Sequence, residues 1–89
     1  VAVRYLLRLY IGGNGPRSTR ALRLVKRICE EKLMGAYDLE VVDIHQQLAR
    51  ASSEGIRAVP TFVKERPAPA HRIVGELTRE MVLAGLSLP

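Results

Sequence analysis

Pro60 is the residue that most constrains this chain. It opens an otherwise strand-like run, Thr61-Phe62-Val63, and a proline nitrogen has no hydrogen to give to a ladder. It therefore belongs at the first position of a strand or on a sheet edge. The residues ahead of it, Gly55-Ile56-Arg57-Ala58-Val59, read as a tight turn feeding that strand. A cis Val59–Pro60 bond would make the turn sharp, because cis peptides are nearly confined to X–Pro and occur as fixed turn features.

The rest of the chain falls into place around that strand. Val3, Tyr5, Leu7, Leu9 and Ile11 alternate with Arg4, Leu6, Arg8 and Tyr10, a period of two that predicts a strand with the first set toward the core. Leu6 and Tyr10 imply that the second face is partly covered too. Gly12-Gly13-Asn14-Gly15-Pro16 stops the strand. Ser18 or Thr19 is placed to cap a helix running to about Met34, with Gly35 past its end. Ala21, Leu22, Leu24, Val25, Ile28, Cys29 and Leu33 fill one half of its circumference and Arg20, Arg23, Lys26, Arg27, Glu30 and Glu31 the other. Lys26–Glu30 and Arg27–Glu31 have i, i+4 spacing for surface ion pairs.

Leu39–Ile44 reads as a second strand, so strand, helix and strand form a right-handed βαβ unit with parallel strands. From His45 to Glu54 only Leu48, Ala49 and Ala51 are apolar, which predicts a short, thinly packed helix. Thr61–Glu65 is the third strand, Arg66-Pro67-Ala68-Pro69-Ala70 turns the chain, and His71–Val74 returns antiparallel to it. Gly75 breaks that strand, and Thr78 caps a last helix over Glu80–Leu86 that ends at Gly85. The predicted fold is α/β with the order βαβαββα. Residues 1–89 form a single domain with a mostly aliphatic core, since aromatic residues make up only 4% of the chain.

Composition excludes several functions. No apolar run approaches the ~20 residues of a membrane span, so a soluble cytoplasmic protein is expected. Cys29 is the only cysteine, which rules out an internal disulfide and a cysteine-based metal site. Its mid-helix place on the apolar side marks a core thiol. Dithiol redox chemistry needs Cys-x-x-Cys at the start of the first helix, where this chain has Gly15-Pro16-Arg17-Ser18. The Gly12–Gly15 loop fits neither phosphate-binding pattern, because Arg17 and Ser18 stand where a further glycine is required. A turn with positive φ accounts for it better. His45 and His71 lie in different elements without acidic or thiol neighbours at metal spacing. No catalytic, cofactor or metal site is expected.

The net charge of +5 is concentrated in residues 1–36, where eight Lys/Arg against two Glu give +6; residues 37–89 hold six against seven, giving −1. Arg17, Arg20, Arg23 and Arg27 stand out. They describe either a solvated helix face or a docking face for an acidic protein surface or a nucleic acid. Nucleic acid is the poorer partner, because Tyr5, Tyr10, Tyr37 and Phe62 are mostly at core-like positions and leave little to stack on.

The segment around Pro60 resembles the one preceding the cis-proline strand of thioredoxin-like proteins. More specifically, Leu7-Arg8-Leu9-Tyr10-Ile11-Gly12-Gly13-Asn14-Gly15-Pro16 and Ser18-Thr19-Arg20-Ala21-Leu22 resemble the opening of the circadian clock family KaiB. The similarity continues through Gly35–Asp43, Ala58-Val59-Pro60-Thr61, Arg72–Leu77 and Val82–Leu86. This resemblance implies a non-enzymatic protein that docks on the KaiC ATPase hexamer, helps sequester KaiA and competes with a histidine kinase whose sensor domain is thioredoxin-like. It also implies two folds: a ground-state fold that assembles as a tetramer or dimer, and a thioredoxin-like monomer that docks. Residues 1–44 would be shared and 45–89 rebuilt, with Pro60, Pro67, Pro69, Gly85 and Ser87 as the positions tied to the change. Arg20, Arg23, Glu40 and Gly55 are the implied partner-binding positions; the family commonly carries lysine at the last two, and usually aspartate at Ser87. The alternatives are a redox-inactive thioredoxin-like adaptor or sensor module outside a clock and, behind it, a small nucleic-acid binder.

Overall fold

The computed structural model describes residues 4–88. Its elements follow the predicted order: β1 (Tyr5–Ile11), α1 (Pro16–Leu33), β2 (Tyr37–Asp43), α2 (Leu48–Ser53), β3 (Thr61–Arg66), β4 (His71–Val74) and α3 (Arg79–Gly85). The expected start of β1 at Val3 lies outside the described residues. The four strands form one sheet in the order β2-β1-β3-β4. β1 and β2 run parallel in register Leu7↔Leu39 and Leu9↔Val41, as a βαβ crossover requires. β3 lies antiparallel to both β1 and β4.

β3 is therefore an interior strand, and Pro60 sits just ahead of it, where no ladder N–H is needed. Its carbonyl accepts from the Gly75 amide at 2.9 Å. The bonds preceding Pro60, Pro67 and Pro69 are all cis. Between Lys64 and Arg66 the register with β1 slips by one residue, so Glu65 is a bulge, a device that redirects a side chain.

The period-two pattern of β1 and the helical period of α1 meet in the main core. Leu7, Leu9 and Ile11 pack with Ala21, Val25, Ile28, Cys29 and Leu33, and Phe62, Val82 and Leu86 close the cluster from β3 and α3. Lys64, next in line after Phe62 on this face, is also buried. The opposite face of the sheet carries α2 alone. There Tyr10 and Val42 are fully buried, and Ala51 is the only buried residue of α2. The second face of β1 is thus covered more completely at Tyr10 than alternation alone implies.

Two local expectations change. α1 begins at Pro16 with Gly15 as N-cap and no side-chain cap; Ser18 is buried inside the first turn. Proline at the first helical position is preorganised and gives up an N–H that would be unpaired anyway, so the helix starts ahead of the hydroxyls. Thr19 Oγ instead donates back to the Gly15 carbonyl at 3.2 Å. Nor do the expected i, i+4 pairs of α1 form among the described residues. Glu30 accepts from the Tyr37 hydroxyl at 2.8 Å and Glu31 pairs with Arg79 of α3 at 2.6 Å. Both contacts tie α1 to a neighbouring element instead.

α3 follows expectation at both ends. The Thr78 side chain accepts from the Met81 amide. After the helix, Ser87 N–H bonds to Ala84 and Leu88 N–H to Leu83, a Schellman closure that places Ser87 at φ +62.

Candidate functional site

The exposed side of α1 faces the loop that leads from β4 into α3. Between them lies an open groove of 520 Å³. Its floor is apolar: Ala21 and Leu24 from the helix, buried Pro60 and Leu77. Its rim is basic, with Arg17, Arg20, Arg23 and Arg27 brought to one side by helical periodicity. One acidic group reaches the rim, Glu76, whose carboxylate is 3.9 Å from Arg20. That pair is largely solvent-exposed and worth little. Arg17, Arg23 and Arg27 make no ion pair among the described residues, and Glu31, four residues on from Arg27, is taken by Arg79.

Arg20 and Arg23 are therefore neighbours on this groove, and Glu40 and Gly55 are not. Glu40 lies in register with Arg8, on the sheet face that carries α2, and both of its oxygens accept from Arg50 at 2.5 and 2.7 Å. The hydrogen bonds from Arg50 hold the Glu40 carboxyl below the usual carboxylate range. Gly55 ends the α2 segment at φ +70, a conformation that glycine adopts without strain. A side chain there would meet the Arg72 guanidinium.

Between Glu40 and Gly55 runs a network that sequence spacing does not announce. Arg8 bonds to Glu54 of the α2 segment and to Glu65 on the β3 bulge. The buried Tyr10 hydroxyl donates to the same Glu54 oxygen, and Arg50 reaches its other oxygen at 3.0 Å. These contacts, led by the hydrogen bond from Tyr10, depress the Glu54 pKa. Arg8 is 46 residues from Glu54 and 57 from Glu65, so only the fold could bring them together.

The remaining candidates have structural positions. Cys29 is fully buried, and desolvation pushes its thiol up to about 11. The glycine loop after β1 is a turn, with Gly13 at φ +77 and its amide donating to Asp43, which also accepts from the His45 amide. Pro67 and Pro69 bracket the β3–β4 turn. Gly85 is buried against Ile73, where a Cβ would come within 2.7 Å of Cδ1. Among the described residues no helix is long and apolar enough to cross a membrane.

The KaiB domain matches this chain over residues 8–87. The chain belongs to the KaiB family. The circadian clock oscillator protein KaiB of Microcystis aeruginosa is 45% identical over 85 residues, spanning 94% of this chain and 82% of the relative. That of Prochlorococcus marinus subsp. pastoris is 46% identical over 85 residues, with 94% and 79% covered. Among solved structures, the N-terminal domain of Synechococcus elongatus SasA superposes with a TM-score of 0.81 at 21% identity, covering 97% of this chain and 82% of that one. Chloroplastic thioredoxin z gives 0.77 at 19% identity, with 91% and 74% covered. The fold is thioredoxin-like.

Proposed function

We propose that this chain is a non-enzymatic, clock-type regulatory protein that docks on a KaiC-type ATPase and helps sequester a KaiA-type partner. The observation that carries this reading is the family match, which spans residues 8–87, beside relatives named circadian clock oscillator proteins at 45% and 46% identity over 85 residues. The exposed face of α1 is the contact surface, with Arg20 and Arg23 as its leading residues. Glu40 and Gly55 contribute a second contact across the sheet.

The proposal includes a change of fold in which residues up to 44 keep their arrangement and those from 45 onward rearrange. The thin packing of α2 and β4 supports it, although β3 buries Thr61, Phe62 and Lys64. β1 buries Leu7, Leu9, Tyr10 and Ile11, whereas α2 buries Ala51 alone and β4 buries no residue. Segments with few buried apolar contacts open at the lowest cost, and two packings within a few kcal/mol are what such a switch requires. Pro60, Pro67, Pro69, Gly85 and Ser87 all lie in the part that would move.

Capture by an immobilised KaiC-type ATPase with ATP, combined with solution mass, tests the reading. An oligomer that dissociates as it binds is expected, and Arg20→Glu is expected to weaken capture without unfolding the chain. Undiminished capture would remove Arg20 from the interface; no capture at all would sink the docking role. One observation favours a second reading, a redox-inactive thioredoxin-like adaptor serving another signalling protein. Glu40 is closed off by Arg50 at a position where the resemblance leads one to expect lysine.

A further inference from the structure

We infer that the arginine-rimmed groove beside Pro60 is a receptor for an extended acidic segment of a partner protein, one apolar side chain on its floor and carboxylates on its rim. The inference deepens the docking reading above and rests on it, adding what chemistry enters the groove.

Shape is the first argument. At 520 Å³ the groove has the size of a cleft that engulfs a small ligand, enough for a few side chains and too large for a lone anion. Its floor of Ala21, Leu24, Pro60 and Leu77 offers an apolar side chain somewhere dry to go. A wholly hydrophilic polyanion would leave that floor unused.

Charge is the second. Four guanidinium groups line one wall and a single carboxylate the other. The acidic residues of α1 that would have neutralised the wall, Glu30 and Glu31, are turned away to Tyr37 and Arg79. Arginine, unlike lysine, presents a planar fork that matches a carboxylate with two parallel hydrogen bonds. A row of them at one helical turn's spacing suits a strand-like peptide bearing carboxylates at intervals. Nucleic acid fits less well, because no aromatic ring lines the groove for a base to stack on.

Glu76 gives the inference its sharpest edge. It stands 3.9 Å from Arg20, occupying the place an incoming carboxylate would take. It is a resident competitor, so removing its charge should strengthen binding where loss of an ordinary surface carboxylate would do nothing.

The test is fluorescence anisotropy of the full chain with a labelled twelve-residue peptide, Asp/Glu-rich around a central Leu-x-Leu. Binding is expected to weaken steeply with salt. The double variant Arg23→Glu/Arg27→Glu, both exposed and hence still folded by circular dichroism, should lose about tenfold or more in affinity. Glu76→Gln should tighten binding by roughly two- to fivefold. The double variant Arg57→Glu/Arg66→Glu, equal in charge change but exposed and outside the groove, should have little effect, and serine in place of the two leucines should weaken the peptide. Equal losses from the two double variants would overturn the inference by reducing it to net charge. So would tighter binding of a single-stranded DNA of matched length, or no peptide binding at all. If the ATPase is captured normally while the peptide fails, the inference falls and the docking reading stands; if both fail, both fall.

Discussion

Removing the Glu54 carboxylate should free α2 from the sheet and leave the rest of the molecule in place. The apolar attachment of α2 is a single buried alanine, whose methyl contributes about 0.8 kcal/mol. The polar attachment is larger, since Glu54 accepts from Tyr10, Arg8 and Arg50. Hydrogen bonds to a charged group contribute about 1.5–3 kcal/mol net. With a quarter of the Glu54 side chain exposed (25%), solvent screening places the loss for Glu54→Ala at about 2 kcal/mol. Amide exchange is the assay. The amides of Ala51, Glu54, Gly55 and Ile56, bonded within the α2 segment, should exchange about 30-fold faster, at 1.36 kcal/mol per decade. Those in the middle of α1 should not change.

Acid should do the same by titration. The folded-state pKa of Glu54 lies below its ordinary 4.5, so its contribution is fully present above that value. It drains as the pH falls through the depressed pKa, when the native carboxylate takes up its proton. If the α2 amides change by less than about threefold in Glu54→Ala, or if all elements lose protection equally, the polar attachment argued here is wrong.

Two further outcomes follow from local geometry. Ser87→Gly relieves a left-handed conformation at φ +62 in the position where glycine is preferred, and should stabilise the chain by up to about 1 kcal/mol in urea unfolding; a destabilised variant would show that Ser87 is held by more than its backbone. Cys29, buried with its thiol raised to about 11, should resist alkylation at pH 8 in the native protein and react only on unfolding. Labelling as fast as a free thiol would contradict the packing of α1.

How far the sequence foretold all this depends on the range of the interactions. β1, α1 and β2 were legible because each carries its own apolar pattern over most of its length. The start of α1 misled, since Ser18 and Thr19 resemble caps more strongly than Gly15-Pro16 does, although proline at the first turn was a usable sign. The arginine stripe was visible, whereas the groove was not, because Leu77 and Glu76 join it from some fifty residues further on. The Arg8–Glu54–Glu65 network is of the same kind: each member reads as an ordinary surface charge until the sheet closes. Glu40 illustrates the limit best, a charge whose partner, Arg50, is chosen by the packing of a helix with almost no hydrophobic signature.

The chain contains no tryptophan and three tyrosines, of which Tyr10 is fully enclosed while Tyr5 and Tyr37 are half-buried. Enclosure of that one phenol depends on α2 lying over it. The protein thus carries its own optical gauge: near-ultraviolet absorbance and tyrosine emission register, without any label, whether α2 is seated or lifted.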